Sequence, residues 1–152
     1  MSNKIFIDTS ILVEYSKNQR PSLFEYLLSE NTKYEMVINE TIISEYTFHW
    51  LAMLGQKAPL TLKRDQSISK FINQAKLSQF LSLFSYAATD NIVIPTFLRL
   101  MERYNLLPND AIILASCIKH GIKVIASFDA DFTEICEKEN ILLVSEIEHL
   151  PF

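Results

Sequence analysis

The sequence predicts an α/β fold: a three-layer α/β/α sandwich around a central, mainly parallel sheet of about five strands. Three observations predict it. Short apolar runs such as Ile5–Ile7 and Tyr34–Ile38 are nearly continuous, as in strands covered on both faces, rather than alternating as in a half-exposed sheet. Between these runs lie stretches whose apolar residues recur at helical spacing. The chain has 152 residues, 49% of them hydrophobic, enough to bury one core, so a single domain over residues 1–152 is expected. There is no internal repeat, low-complexity segment or linker.

The first unit runs from Lys4 to Tyr15. Ile5, Phe6 and Ile7 form a buried strand, Asp8-Thr9-Ser10 a polar turn, and Ile11, Leu12 and Tyr15 the inner face of a first helix. Pro21 suits the first turn of a second helix, Ser22–Ser29. Tyr34–Ile38 is the second strand, and Asn39 caps a helix starting near Glu40, with Ile42, Ile43, Tyr46, Trp50 and Leu51 along its apolar stripe. Gly55–Leu62 reads as a loop, broken by Pro59. Asp65–Ala87 reads as one long helix, its aromatic stripe of Phe71, Phe80 and Phe84 packing in a core or a dimer. Asn91–Ile94 is expected as the third strand, followed by a helix from Pro95 to about Tyr104. Leu107-Pro108-Asn109-Asp110 is a turn, with Asn109 as helix cap, and Ala111–Lys119 a buried helix stopped near Gly121. Ile122–Ala126 is the fourth strand, the segment after Ser127 turns into a short helix reaching about Lys138, and Ile141–Val144 is the last strand.

Composition narrows the function. Net charge is −4 and the pI about 5.4, which excludes a broad basic surface but not a nucleic-acid substrate held through metal ions. No apolar run approaches the roughly 20 residues that span a bilayer, so no membrane partner is expected. Cys117 and Cys136 form no CxxC pair, and a reducing, cytoplasmic setting is the simplest expectation.

Four acidic residues occupy equivalent places. Asp8 follows the first strand, Glu45 lies in the helix after the second, Asp110 begins the helix before the fourth, and Asp129 follows the fourth. In a parallel sheet, residues just after strands gather at one edge, where ligands bind. The dipole of its helix would hold Asp110 ionised. Carboxylates brought together raise one another's pKa, and a cation relieves the repulsion. Oxygen donors without a His or Cys cluster select Mg²⁺ or Mn²⁺ over zinc. Such a site activates water for in-line displacement at phosphorus.

These residues resemble a known family. Ile7-Asp8-Thr9-Ser10, Ile43-Ser44-Glu45-Tyr46, Asn109-Asp110-Ala111 and Ala126–Phe132 are similar, in order and placement, to the motifs of PIN domains. The likeness is specifically to the VapC toxin ribonucleases of toxin–antitoxin pairs, and it covers nearly the whole chain. It implies a metal-dependent endoribonuclease, with Asp8, Glu45, Asp110 and Asp129 as catalytic, metal-binding acids and Thr9 or Ser10 lining the substrate site. Ser127 and Phe128 stand where Thr and a polar residue are common, which leaves Asp131 as an alternative fourth acid. The resemblance also implies an RNA substrate, a cognate antitoxin and a homodimer.

Arg20, Lys63, Arg64, Arg99 and Arg103 could contact phosphates or be solvated surface charges, while His49, His120 and His149 read as surface or structural. Two other functions compete. One is a degenerate PIN-like module that binds RNA or protein without cutting. The other is a phosphotransferase using Asp8 as nucleophile, for which Ser10 stands in place of the second acid of an Asp-x-Asp pair.

Overall fold

The computed structural model describes residues 3–151; Met1, Ser2 and Phe152, which the single-domain expectation also covers, lie outside the described residues. Five strands form one fully parallel sheet: β1 (Asn3–Ile7), β2 (Tyr34–Ile38), β3 (Ser85–Tyr86), β4 (Val124–Ala126) and β5 (Leu142–Val144). Their spatial order is β3-β2-β1-β4-β5. The helices among the described residues are α1 (Thr9–Ser16), α2 (Ser22–Ser29), α3 (Glu40–Gly55), α4 (Pro59–Arg64), α5 (Ile68–Phe71), α6 (Gln74–Leu81), α7 (Ile94–Tyr104), α8 (Pro108–Lys119) and α9 (Phe132–Lys138). The expected α/β/α sandwich is therefore present. None of these helices is long and apolar enough to cross a membrane.

Strand order places the site. The chain leaves β1 towards β2 on one side and returns to β4 on the other, so the direction of winding reverses between β1 and β4. At such a switch point the loops leaving neighbouring strands diverge and open a crevice at their carboxyl ends. Asp8 follows β1 there, and its N–H donates to the Ala126 carbonyl of β4 at 3.0 Å.

β1 is the centre because its inner residues are the most apolar: Ile5, Phe6 and Ile7 are fully buried. The helix α8 carries Ala111, Ile113, Leu114, Ala115 and Cys117 into the same core. Asn39 joins three elements at one point. Its Oδ1 caps α3 by accepting from the Ile42 N–H, and its Nδ2 donates to Ser116 of α8 at 3.0 Å, all fully buried. That bond ties the helix bearing Glu45 to the helix bearing Asp110.

Three expectations are corrected. Gly55–Leu62 is not a plain loop: α3 extends to Gly55, and α4 begins at Pro59, a good first helical residue because its missing N–H needs no partner. Asp65–Ala87 is not one helix. Gln66 adopts a left-handed φ of 54°, and Asn73 caps a new start by accepting from the Lys76 N–H, so the stripe is buried in pieces that bend around the core. Phe80 and Phe84 pack on Phe24 with ring centroids 5.9 and 6.0 Å away.

The third strand is not Asn91–Ile94, which is a 3₁₀ turn running into α7. Asp90 caps that turn, and Ile92 and Ile94 are exposed, the reverse of a covered strand. The strand is instead Ser85–Tyr86, an exposed edge paired with Val37 and Ile38. Smaller shifts follow the same logic: β4 begins at Val124 rather than Ile122, β5 at Leu142 rather than Ile141, and α8 at Pro108 rather than Ala111.

Candidate active site

The register of β1 against β4 builds the floor of the crevice. Ile7 faces Ala126, so the next residues, Asp8 and Ser127, leave the sheet side by side. The Ser127 hydroxyl donates to Asp8 Oδ2 at 2.8 Å, and the Ser10 hydroxyl donates to the same oxygen at 2.6 Å. Asp8 also caps α1 through the Ser10 N–H at 3.3 Å while it lines the groove. Asp8 is 6% exposed. Burial pushes its pKa up, the hydroxyl donors oppose that rise, and the charge of Glu45 adds to it.

Glu45 reaches the crevice from the second turn of α3. Thr9 Oγ1 donates to its Oε2 at 2.6 Å, and Asn109 Nδ2 donates to its Oε1 at 2.7 Å. Both oxygens are thus aimed by fixed donors. Glu40, at the start of the same helix, faces elsewhere and accepts from the Thr89 backbone N–H.

Asp110 sits in the first turn of α8, half-buried. Its pKa is pushed up to about 6, first by burial and then by the negative charges of Asp129, Asp8, Glu45 and Asp131. The helix dipole was expected to hold it ionised. Burial and like charge outweigh that dipole, whose worth is about 1 kcal/mol or less.

Asp129 lines the crevice with Asp8, Glu45 and Asp110, and its Oδ1 accepts from the Asp131 N–H at 2.9 Å. Asp131 is exposed at the start of α9 and lines a neighbouring cavity instead. The crevice itself is an open groove of about 570 Å³, walled further by Val13, Lys17, Phe48 and His49.

The geometry adds partners that sequence reasoning missed. Asn109 is not the helix cap, since Leu107 holds that position and Pro108 opens the helix; its amide is spent on Glu45. Ser127 bears on Asp8 because it follows β4 as Asp8 follows β1, a signal visible once the two strands are known to be neighbours. His49 and the 56%-exposed Phe48 stand at the groove one turn beyond Glu45, where helical spacing puts them.

An all-carboxylate donor set fits a hard divalent cation, which would offset the negative charges that, after burial, raise the pKa of Asp110. Among the described residues, no three His, Cys, Asp or Glu side chains are already drawn together as a formed ligand cluster. Asp8 and Glu45 instead direct their oxygens at hydroxyl and amide donors.

The chain resembles known proteins over most of its length. A family model described as PIN domain matches residues 5–138. Ribonuclease VapC2 of Methanocaldococcus jannaschii is 30% identical over 135 residues, covering 88% of this chain and 89% of that protein. Ribonuclease VapC6 of the same organism is 27% identical over 144 residues, covering 88% and 93%. Among solved structures, VapBC2 from Rickettsia felis, bound to a DNA fragment from their promoter, gives a TM-score of 0.63 at 17% identity over 93% of this chain and 97% of that one. A toxin–antitoxin complex from Klebsiella pneumoniae gives 0.60 at 20% identity, covering 93% and 96%.

Proposed function

The chain belongs to the PIN domain family, and from that premise we propose that it is a metal-dependent endoribonuclease, the toxin of a type II toxin–antitoxin pair. One observation carries the reading: Asp8, Glu45, Asp110 and Asp129 all line a single open groove at the switch point of the sheet. A protein that only bound RNA would gain nothing from four carboxylates facing a phosphate backbone.

The proposed ion is Mg²⁺ or Mn²⁺, held by Asp8, Glu45, Asp110 and Asp129, with Asp131 on the neighbouring cavity as the alternative fourth acid. When bound, it would supply Lewis acidity at phosphorus and a low-pKa water for hydrolysis. The protein's own part is positioning. Ser10 and Ser127 hold Asp8, and Thr9 and Asn109 hold Glu45, so these two acids are positioned at the groove by neutral donors. Thr9 and Ser10, expected as substrate contacts, act in this proposal by orienting those carboxylates. Phe48, exposed on the groove wall, offers a face on which an unpaired base stacks, which favours single-stranded over duplex RNA.

The proposal extends to a cognate antitoxin, since both structural relatives above are toxin–antitoxin assemblies, and to a homodimer on the family resemblance alone. A groove of this charge suits a basic segment of such a partner. A cytoplasmic setting belongs to the same proposal, and both cysteines are buried free thiols.

The test is cleavage of labelled single-stranded RNA by purified protein with Mg²⁺, with Mn²⁺ and with EDTA, beside Asp8→Asn. Metal-dependent cutting, lost in a folded Asp8→Asn protein, is the expected result. A folded protein that neither cuts nor binds Mn²⁺ sinks the enzyme and leaves a binding module.

A further inference from the structure

Of the five cations that sequence offered for phosphate contact, the fold singles out one. Arg99 is committed to Glu139, donating to its two oxygens at 2.8 and 3.0 Å. Arg103 lies over its neighbour Tyr104, beside the cavity that Asp131 lines. Lys63 and Arg64 close the last turn of α4 and are not among the residues that wall the acidic groove.

Arg20 is different. It sits in the turn between α1 and α2 with a left-handed backbone, φ 43°, which an arginine adopts only at some cost. Its guanidinium carbon lies 3.6 Å from the centroid of the Phe128 ring, against 5.3 to 6.0 Å for the other cation–ring pairs among the described residues. Phe128 is no ordinary surface ring. It stands between Ser127, which donates to Asp8, and Asp129 on the groove wall. Its backbone N–H donates to Ser10 Oγ at 3.0 Å, and that hydroxyl in turn donates to Asp8. Arg20 is therefore clamped onto the loop that carries Asp129.

Stacking uses one face of the guanidinium and leaves its in-plane N–H donors unspent. Among the described residues no side chain accepts a hydrogen bond from it. It lines an open cavity of about 420 Å³ with Ser22, Phe128, Ser145, Glu146 and Glu148, and neither glutamate is ion-paired with it. On a chain of net charge −4, a preorganised cation beside an acidic groove has a large effect on where a polyanion settles.

We propose that Arg20, held flat on Phe128, is a substrate-positioning residue that binds a backbone phosphate of the RNA strand next to the one being cut. The inference rests on the nuclease reading.

The test compares wild type with Arg20→Asn, Arg20→Lys and Phe128→Leu, each checked for folding by circular dichroism. Asn tolerates the left-handed backbone, so Arg20→Asn removes the guanidinium without disturbing the turn. Cleavage kinetics with Mg²⁺ are read across a KCl series, and binding of fluorescein-labelled single-stranded RNA by anisotropy. The expected result for Arg20→Asn is KM raised roughly fivefold with kcat retained. The slope of log affinity against log salt becomes shallower by about 0.7, one phosphate contact fewer on a single strand. Arg20→Lys keeps the slope but recovers affinity only in part, and Phe128→Leu weakens affinity as Arg20→Asn does. Wild-type KM and salt slope in both Arg20→Asn and Phe128→Leu overturn the proposal. Anisotropy reads the slope without cleavage, so the role of Arg20 in binding is measured even if the protein does not cut RNA.

Discussion

Asp110 is half-buried among four other carboxylates, and its behaviour against pH follows from that. Its pKa stands at about 6 in the folded chain against an ordinary 3.8. The folded state therefore holds this proton more tightly than the unfolded state does. Its contribution favours folding below the ordinary value and is lost as pH rises through about 6. Metal-free protein is expected to unfold at lower urea at pH 7 than at pH 5 on account of this group. In Asp110→Asn that loss should largely vanish, so the variant is more stable than wild type at pH 7 while divalent binding collapses. Urea midpoints at the two pH values and Mn²⁺ titration check both halves; a variant less stable at pH 7 contradicts the account. Ser127 acts on the other buried acid. Ser127→Ala removes a donor 2.8 Å from Asp8 Oδ2 while leaving Ser10 in place. It should cost about 1–2 kcal/mol of stability and lower kcat more than it raises KM, read from denaturation and initial rates.

At the scale of elements, two joints hold the helices that carry the acids. Asn39 caps α3 and bonds Ser116 of α8 in a fully buried position. Asn39→Ala loses the cap and strands a buried hydroxyl, a combined cost of about 2–3 kcal/mol. Because Glu45 rides on α3 and Asp110 on α8, metal affinity should fall with it, although Asn39 touches no ligand. A calorimetric Mn²⁺ affinity equal to wild type would show that the two helices are positioned by packing alone. The second joint is the end of α3. A Cβ added at Gly55 would lie 2.6 Å from the Leu62 side chain, which is 1% exposed. Gly55→Ala must displace that leucine, so it should destabilise by about 1–3 kcal/mol, whereas the same change in an open helix would stabilise.

For the whole molecule, the sheet order 3-2-1-4-5 turns short polar turns into one site, and cation binding should report on the assembled fold. A ligand that binds only the folded chain stabilises it by mass action, about 2.7 kcal/mol at a hundredfold excess over Kd. Saturating Mn²⁺ is therefore expected to raise Tm of wild type by several degrees and to leave Asp8→Asn nearly unmoved. An equal rise in both would place the ion elsewhere.

The sequence by itself determined the architecture and brought four acids to one edge of it. Covered parallel strands must be apolar on both faces, and β1 and β2 therefore announce themselves, as does the Asn39 cap of the helix after β2. Asp8, Glu45, Asp110 and Asp129 were legible because their places relative to those elements are local facts. The edge strand Ser85–Tyr86 was not legible: two exposed residues carry no burial pattern, while the apolar Ile92-Val93-Ile94 mimicked one. Nor was the breakage of the segment after Asp65, where capping by Asn73 and the turn at Gln66 overrode a sustained helical stripe. Tertiary structure alone decided which neutral donors hold which acid, because Ser127 and Asp8 lie 119 residues apart, and Asn109 and Glu45 lie 64 apart. It alone set Arg20 on Phe128. Such contacts are made by strand register and helix placement, and no local spacing encodes them.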